Sequence, residues 1–92
     1  MPLNKRSKVD IYHDVLDLLC QEGAITGKAS STRVARRANL PYDRFQKILE
    51  RFIGLDMVRR TDEGLLITEK GLNCLYQIRR TNAFLRRIGL DT

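Results

Sequence analysis

The 92-residue sequence predicts a mainly helical α+β domain, with four helices and one small β-hairpin. Two observations lead to this prediction. Apolar residues recur at intervals of three and four in several segments, which is the period of an amphipathic helix. Two short apolar runs flank the turn-forming segment Asp62–Gly64, which is typical of a hairpin. A chain of this length has room for one domain with one small core.

The first predicted helix covers Ser7–Glu22. Ser7 is expected to cap its start, and Asp10 suits the positive end of the helix dipole. Gly23 is expected to adopt the left-handed conformation and end the helix. The apolar stripe consists of Val9, Tyr12, Val15, Leu16 and Leu19.

A connector of small residues, Ala24–Ser30, follows and has room for a short strand. The second predicted helix is Ser31–Ala38, with Ser31 or Thr32 as its cap. The turn Asn39–Pro41 comes next, because Pro41 disfavours helical geometry at the residue before it. The residues of the second helix expected to face the core are Val34, Ala35 and Ala38.

The third predicted helix runs from about Pro41 to Gly54 or Leu55, since proline suits the first position of a helix. Its apolar stripe consists of Phe45, Ile48, Leu49 and Phe52. The hairpin follows, with predicted strands Met57–Thr61 and Leu65–Thr68.

The fourth predicted helix starts at Thr68, which can cap it, and reaches Ile88, where Gly89 ends it. A helix of this length is about 30 Å long, close to the diameter of a small domain. Its second half is therefore expected to project beyond the core. We accordingly divide the chain into a domain of residues 1–70 and a C-terminal helix of residues 68–92.

The positive charge is concentrated in one part of the chain. The formal net charge is +6, and residues 24–54 alone hold seven basic and two acidic residues. Such clustering indicates an anionic partner, and nucleic acid is the commonest. The seven basic residues are Lys28, Arg33, Arg36, Arg37, Arg44, Lys47 and Arg51.

The order of a short helix, a tight turn, an amphipathic helix and a hairpin predicts a winged helix-turn-helix. The third helix buries one face and presents a polar, basic one. The major groove of DNA admits one such helix, and its Arg, Gln and Lys side chains can reach base edges. We expect double-stranded DNA as the partner, with base contacts from Arg44, Gln46 and Lys47.

Other residues are expected to contact the DNA backbone, because phosphate contacts position a protein without reading sequence. The start of the second helix can offer amide groups to a phosphate, and the wing adds two arginines. Tyr42 has two open interpretations, packing against the second helix or touching the sugar-phosphate. The predicted backbone residues are Lys28, Ser31, Thr32, Arg33, Arg36, Arg37, Tyr42, Arg51, Arg59 and Arg60.

Several short motifs in this order resemble those of the small archaeal winged-helix DNA-binding proteins. The matching segments are Thr32–Tyr42, Leu49, Met57–Val58 and Ile67–Gly71, within residues 9–78. This resemblance implies DNA binding, as a transcription regulator or chromatin-like protein. It also implies a dimer formed through a C-terminal antiparallel coiled coil. Two positions depart from the family pattern, with Pro41 in place of a serine cap and Asp56 in place of a glycine.

A second apolar stripe on the fourth helix follows the heptad spacing of a coiled coil. It continues beyond the expected core, where a second copy of the chain can bury it. We therefore expect a homodimer, although a helix folded back onto its own domain is the alternative. The stripe consists of Cys74, Ile78, Thr81, Leu85 and Ile88.

Other functions have less support. No apolar run approaches the roughly 20 residues of a membrane span, and no signal peptide is evident, so we expect a cytoplasmic, nucleoid-associated protein. No nucleophile, base and orienting group converge on the single histidine, His13, and we predict no enzyme activity. Stacking platforms for RNA are also missing. A winged-helix module for protein–protein contact is the main alternative.

We predict no cofactor, metal or small-molecule effector. Cys20 and Cys74 are 54 positions apart, and neither lies at metal-ligand spacing from another cysteine or from His13. Both are expected to be buried, reduced thiols, with a disulfide or a redox role as the alternatives.

Overall fold

The structure, a computed structural model, describes residues 6–90, with only the backbone described at residues 25 and 26. Its elements confirm the predicted class of four helices and one antiparallel hairpin. In chain order they are α1 (Lys8–Thr26), α2 (Ser31–Arg37), α3 (Tyr42–Gly54), β1 (Val58–Thr61), β2 (Gly64–Ile67) and α4 (Glu69–Arg87). The predicted domain of residues 1–70 and the predicted C-terminal helix of residues 68–92 include residues 1–5 and 91–92, which lie outside the described residues.

α1 begins with a capping box, as the sequence predicts for Ser7. The Ser7 hydroxyl accepts a hydrogen bond from the Asp10 amide at 3.1 Å, and the Asp10 carboxylate accepts one from the Ser7 amide at 3.0 Å. The prediction that Gly23 ends this helix was wrong. α1 continues to Gly27, whose φ of 85° supplies the left-handed cap. A glycine inside a helix costs only about 1 kcal/mol, so Gly23 does not stop it.

The helix-turn-helix contains one further correction. Ser30, with extended backbone geometry, caps α2 by accepting a hydrogen bond from the Arg33 amide, so neither Ser31 nor Thr32 is the cap. The turn to α3 depends on Asn39, which adopts a left-handed φ of 58°. Asparagine tolerates this conformation better than most residues. Pro41 then precedes the first residue of α3.

The core lies between α1, the helix-turn-helix, the hairpin and the first half of α4. Val9 was predicted to belong to it but is 49% exposed, because it lies in the first turn of α1 at the edge of the packed elements. Ile11 is buried in its place. Tyr12 is half-buried and meets the Phe52 ring edge-on, at 5.7 Å between centroids. The largest fully buried side chains are Val15, Leu16, Leu19, Val34, Phe45, Leu49 and Val58.

The hairpin is joined to the connector before α2. β1 and β2 pair antiparallel, with Val58 opposite Ile67 and Arg60 opposite Leu65. Ala29 forms a further bridge with Leu65 through two backbone hydrogen bonds of 2.7 and 2.8 Å. This bridge fixes the wing relative to the start of α2.

α4 completes the core with its first half and leaves its second half exposed. Thr68 caps it by accepting a hydrogen bond from the Gly71 amide at 3.1 Å and donating one to the Asp56 carbonyl at 2.7 Å. Gly71 and Leu75 are buried, and Arg79 pairs with Asp17 of α1. The predicted division of the chain into residues 1–70 and 68–92 stays a prediction.

Candidate nucleic-acid interface

α3 separates an apolar face from a basic one. Phe45, Leu49 and Phe52 are buried on the first. Arg44, Lys47 and Arg51 are exposed and follow at intervals of three and four, so they share one side of the helix. This spacing places three cations along about two turns, a length that matches the contact of a helix with the major groove.

A polar pair of side chains connects the wing to α3. Arg60 of β1 donates a hydrogen bond from Nη2 to Oε1 of the half-buried Gln46, at 3.2 Å. The strand register explains why Arg60 reaches α3 and Arg59 does not. Arg60 lies opposite the buried Leu65, whereas Arg59 lies opposite the exposed Leu66, and alternate residues of a strand face opposite sides.

Tyr42, for which two interpretations were open, connects the two helices of the motif. Its hydroxyl lies 3.4 Å from Oγ of Ser31, and either atom can donate the hydrogen bond. Its ring is tilted against Phe45, at 6.4 Å between centroids. The structure thus places Tyr42 against α2, and the residue is still 48% exposed. Thr32, one residue on from Ser31, is also exposed.

Two arginines of α2 are ion-paired within the protein. Glu22 of α1 is only 6% exposed, and its carboxylate accepts a hydrogen bond from Arg37 at 2.7 Å. The Arg33 guanidinium lies 3.6 Å from the same carboxylate. A buried carboxylate needs such partners, because an unpaired charge costs free energy when it leaves water. Arg36 is exposed like these two arginines but forms no ion pair with another described residue.

Lys28 forms an ion pair with Glu63 at the turn of the wing. The hydrogen bond from Lys28, followed by its positive charge, lowers the pKa of the Glu63 carboxyl below its usual value. Asp62 beside it is exposed as well. The tip of the wing is therefore acidic, and the basic part of the wing is β1, with Arg59 and Arg60.

One residue of this surface was not predicted from the sequence. Glu50 is exposed on α3, one turn after Gln46. The signal was its spacing of four from Gln46, which puts both residues on the same flank of the helix. A carboxylate here repels phosphate, and it can accept a hydrogen bond from the cytosine amino group in the major groove.

The predicted dimer residues fall into two groups. Cys74 and Ile78 are half-buried and pack against the core of their own domain. Thr81 and Ile88 are exposed, and Leu85 is half-buried. Two further apolar residues, Phe84 and Leu90, are 51% and 65% exposed in the same part of the chain.

Several other features of the described residues bear on function. Cys20 and Cys74 are free and half-buried. Between residues 6 and 90, no three metal-binding side chains come together. No helix in the described part of the chain is long and apolar enough to cross a membrane.

Comparison with known proteins agrees with this architecture. No curated protein matches the chain significantly. A family model described as winged helix-turn-helix matches residues 5–85, which include every helix and strand of the structure except the last residues of α4. Domains of this kind bind DNA in general and are typically not enzymes. The match and the observed order of elements agree, and the chain belongs to the winged helix-turn-helix family.

Proposed function

We propose that this protein binds double-stranded DNA, with α3 in the major groove and the wing on the sugar-phosphate backbone. One observation carries the proposal. Arg44, Lys47 and Arg51 are exposed along a single side of α3, opposite the face that packs in the core. None of the three has an ion pair with another described residue, so their charges are available to an anionic partner.

The structure supports a division of roles within the predicted interface. Arg44, Gln46 and Lys47 lie on the helix that enters the groove and are proposed to contact base edges. Other exposed cations are proposed to contact phosphate, and these are Arg36, Arg51, Arg59 and Arg60. Ser31, Thr32 and Tyr42, at the start of α2 and α3, are proposed to contact the backbone as well.

Three of the predicted phosphate contacts have a competitor within the protein. Arg33 and Arg37 bind Glu22, and Lys28 binds Glu63. Each of these cations has to exchange a carboxylate for a phosphate when it contacts DNA. Its contribution to the free energy of DNA binding is therefore smaller than that of a cation that is only hydrated. We therefore place these three residues at the margin of the interface.

We further propose that the protein is a homodimer through the outer half of α4. Phe84 and Ile88 are half exposed, four residues apart, and Thr81 and Leu85 lie beside them. Exposed apolar side chains grouped in this way are typical of a subunit interface. Because Cys74 and Ile78 are engaged in their own core, we move the proposed contact towards the C-terminus and add Phe84 to it.

The resemblance to the small archaeal winged-helix proteins suggests the biological role. We propose a transcription regulator or chromatin-associated protein in the cytoplasm, bound to the nucleoid. Two recognition helices in a two-fold dimer suit a pseudo-palindromic site, if they lie about one turn of DNA apart.

A salt titration on random duplex DNA tests the binding proposal. Neutralised phosphates release counterions, so affinity is expected to fall linearly on a logarithmic plot as salt rises. Arg36→Ala with Arg51→Ala removes two of the proposed phosphate contacts and is expected to reduce the slope by about two per protomer. The control is Lys8→Ala with Lys70→Ala, two exposed lysines outside the proposed interface, with the same loss of charge. Failure of the wild-type protein to bind at low salt refutes the proposal and favours a protein–protein module.

Sedimentation tests the dimer. The chain has a mass of 10.7 kDa, and the wild-type protein is expected to sediment at twice this value. Leu85→Asp with Ile88→Asp places charges in the apolar contact and is expected to give a monomer. Asn73→Asp, an exposed position on the first half of α4, is the control that retains the dimer. A monomeric wild-type protein, or a double variant that still dimerises, contradicts the proposed contact.

A further inference from the structure

The contact between Arg60 and Gln46 has a consequence for the DNA sequence that this surface recognises. We propose that Arg60 is a positioning residue for Gln46, and that the pair reads guanine in the major groove. This inference rests on the proposed DNA binding and concerns the same surface. It begins with the atoms that meet, Nη2 of the arginine and Oε1 of the glutamine, at 3.2 Å.

The chemistry of the two groups determines the orientation of the amide. A guanidinium group only donates hydrogen bonds, so the amide atom that faces Arg60 has to be the oxygen. The amino group, Nε2, is at the other end of the planar amide and is directed away from Arg60. Gln46 therefore presents a donor, and not an acceptor, on the side that does not face the wing.

The position of Arg60 makes this orientation specific to the assembled wing. Arg60 lies on the inner side of β1, two residues from the buried Val58, and the register with Leu65 keeps its side chain next to α3. Ala29 bridges the partner strand at Leu65 and holds the hairpin in place. The contact therefore belongs to the folded domain and does not require DNA to form.

A glutamine that is free to rotate can read adenine with both ends of its amide. It donates to adenine N7 and accepts from the adenine amino group. With Oε1 turned towards Arg60, Gln46 presents its Nε2 amino group, which carries two donor hydrogens, to the base. Guanine is the base whose major-groove edge has two acceptors, N7 and O6, and it matches this arrangement. Adenine places its amino donor against these donors.

The inference is tested by selecting binding sites from a duplex library with a randomised segment. The wild-type protein is expected to enrich guanine over adenine at one position of each half-site by about tenfold. Arg60→Ala releases the oxygen of Gln46, and this variant is expected to shift the preference at the same position towards adenine. Gln46→Ala is expected to lose the preference at that position. Arg60 is exposed, Gln46 is half-buried, and neither belongs to the apolar core, so these variants are expected to fold.

Arg59→Ala is the matched control for Arg60→Ala. It removes the neighbouring arginine of the same strand, which lies on the opposite side of the wing from Gln46. It is expected to weaken binding to all sequences equally and to leave the base preference unchanged. A merely electrostatic role for Arg60 predicts the same behaviour for both variants, so the shift in base preference separates the two roles.

The outcomes distinguish this inference from the proposed function. A wild-type protein that binds no DNA at low salt overturns both. A wild-type protein that binds DNA, but shows the same selected sites before and after Arg60→Ala, overturns the positioning role and leaves the DNA binding intact. Selection of adenine by the wild-type protein at the Gln46 position overturns the reading of guanine.

Discussion

Gly71 on α4 provides the sharpest test of the packing described above. Helix propensity alone predicts that Gly71→Ala stabilises the protein by about 1 kcal/mol, since alanine is the better helix former. The structure predicts the opposite. A Cβ atom at this position would lie 2.3 Å from the Met57 carbonyl oxygen and 2.7 Å from Cγ1 of Ile67. Real Cβ contacts essentially never come closer than 3.0 Å, so the backbone has to move.

The magnitude follows from what must move. The Met57 oxygen has to retreat by about 0.7 Å from the new methyl group, the difference between 3.0 and 2.3 Å. This oxygen also accepts a hydrogen bond from the Thr68 amide at 2.9 Å, which connects the hairpin to the start of α4. Insertion of one carbon into a tightly packed site costs about 1–3 kcal/mol, and more where backbone is displaced. We expect a net destabilisation of at least about 1 kcal/mol after the gain in propensity.

Gly23→Ala is the matched control, because Gly23 also lies inside a helix but its added Cβ would meet nothing within 4 Å. Thermal unfolding followed by circular dichroism, at one protein concentration, measures both variants. We expect Gly71→Ala to lower the Tm by about 4–8 °C or more, and Gly23→Ala to raise it by a few degrees. A Gly71→Ala variant as stable as the wild-type protein would refute the packing of α4 against the hairpin.

Four further predictions concern single residues. Glu22→Ala removes the carboxylate held by Arg37 and is expected to destabilise the domain by about 1–2 kcal/mol, measured by urea unfolding; an unchanged midpoint would contradict the role of this pair. Ser7→Ala removes the cap of α1 and is expected to cost about 1 kcal/mol at neutral pH. The backbone hydrogen bond from Ser7 is the first cause that lowers the pKa of Asp10, so this carboxylate stabilises the folded state above about pH 4 and the contribution disappears as the pH falls through the lowered pKa. Asp10→Asn should therefore cost stability at pH 7 and little at pH 2, and a constant difference would be evidence against the charged cap. Glu50→Gln is expected to raise the affinity for random duplex DNA about two- to fivefold, by fluorescence anisotropy, and a fall in affinity would place Glu50 among the base contacts.

The sequence predicted the elements whose cause is local. The apolar stripe of α3 was confirmed because the spacing of Phe45, Leu49 and Phe52 leaves only one face of a helix apolar. The cap of α4 at Thr68 was confirmed for a similar reason, since the capping hydroxyl and the amide it meets are three residues apart. The hairpin was predicted to within one residue at each end, because its turn residues lie between two short apolar runs.

Other features were missed because residues far apart in sequence decide them. Gly23 and Gly27 are both plausible ends for α1 in the sequence, and the helix ends at Gly27. Two residues later, the bridge between Ala29 and β2 fixes the position of the connector. The roles of Arg33 and Arg37 depend on Glu22, which belongs to a different helix.

By itself, the sequence determined the class of fold, the basic face of α3 and the apolar outer half of α4, because periodicity and charge are properties of neighbouring residues. Only the tertiary structure decided which of the predicted cations are held by carboxylates of the protein. It also decided that Arg60, and not Arg59, meets Gln46. These outcomes depend on strand register and helix packing, which bring together side chains 14 and more residues apart and which no local pattern encodes.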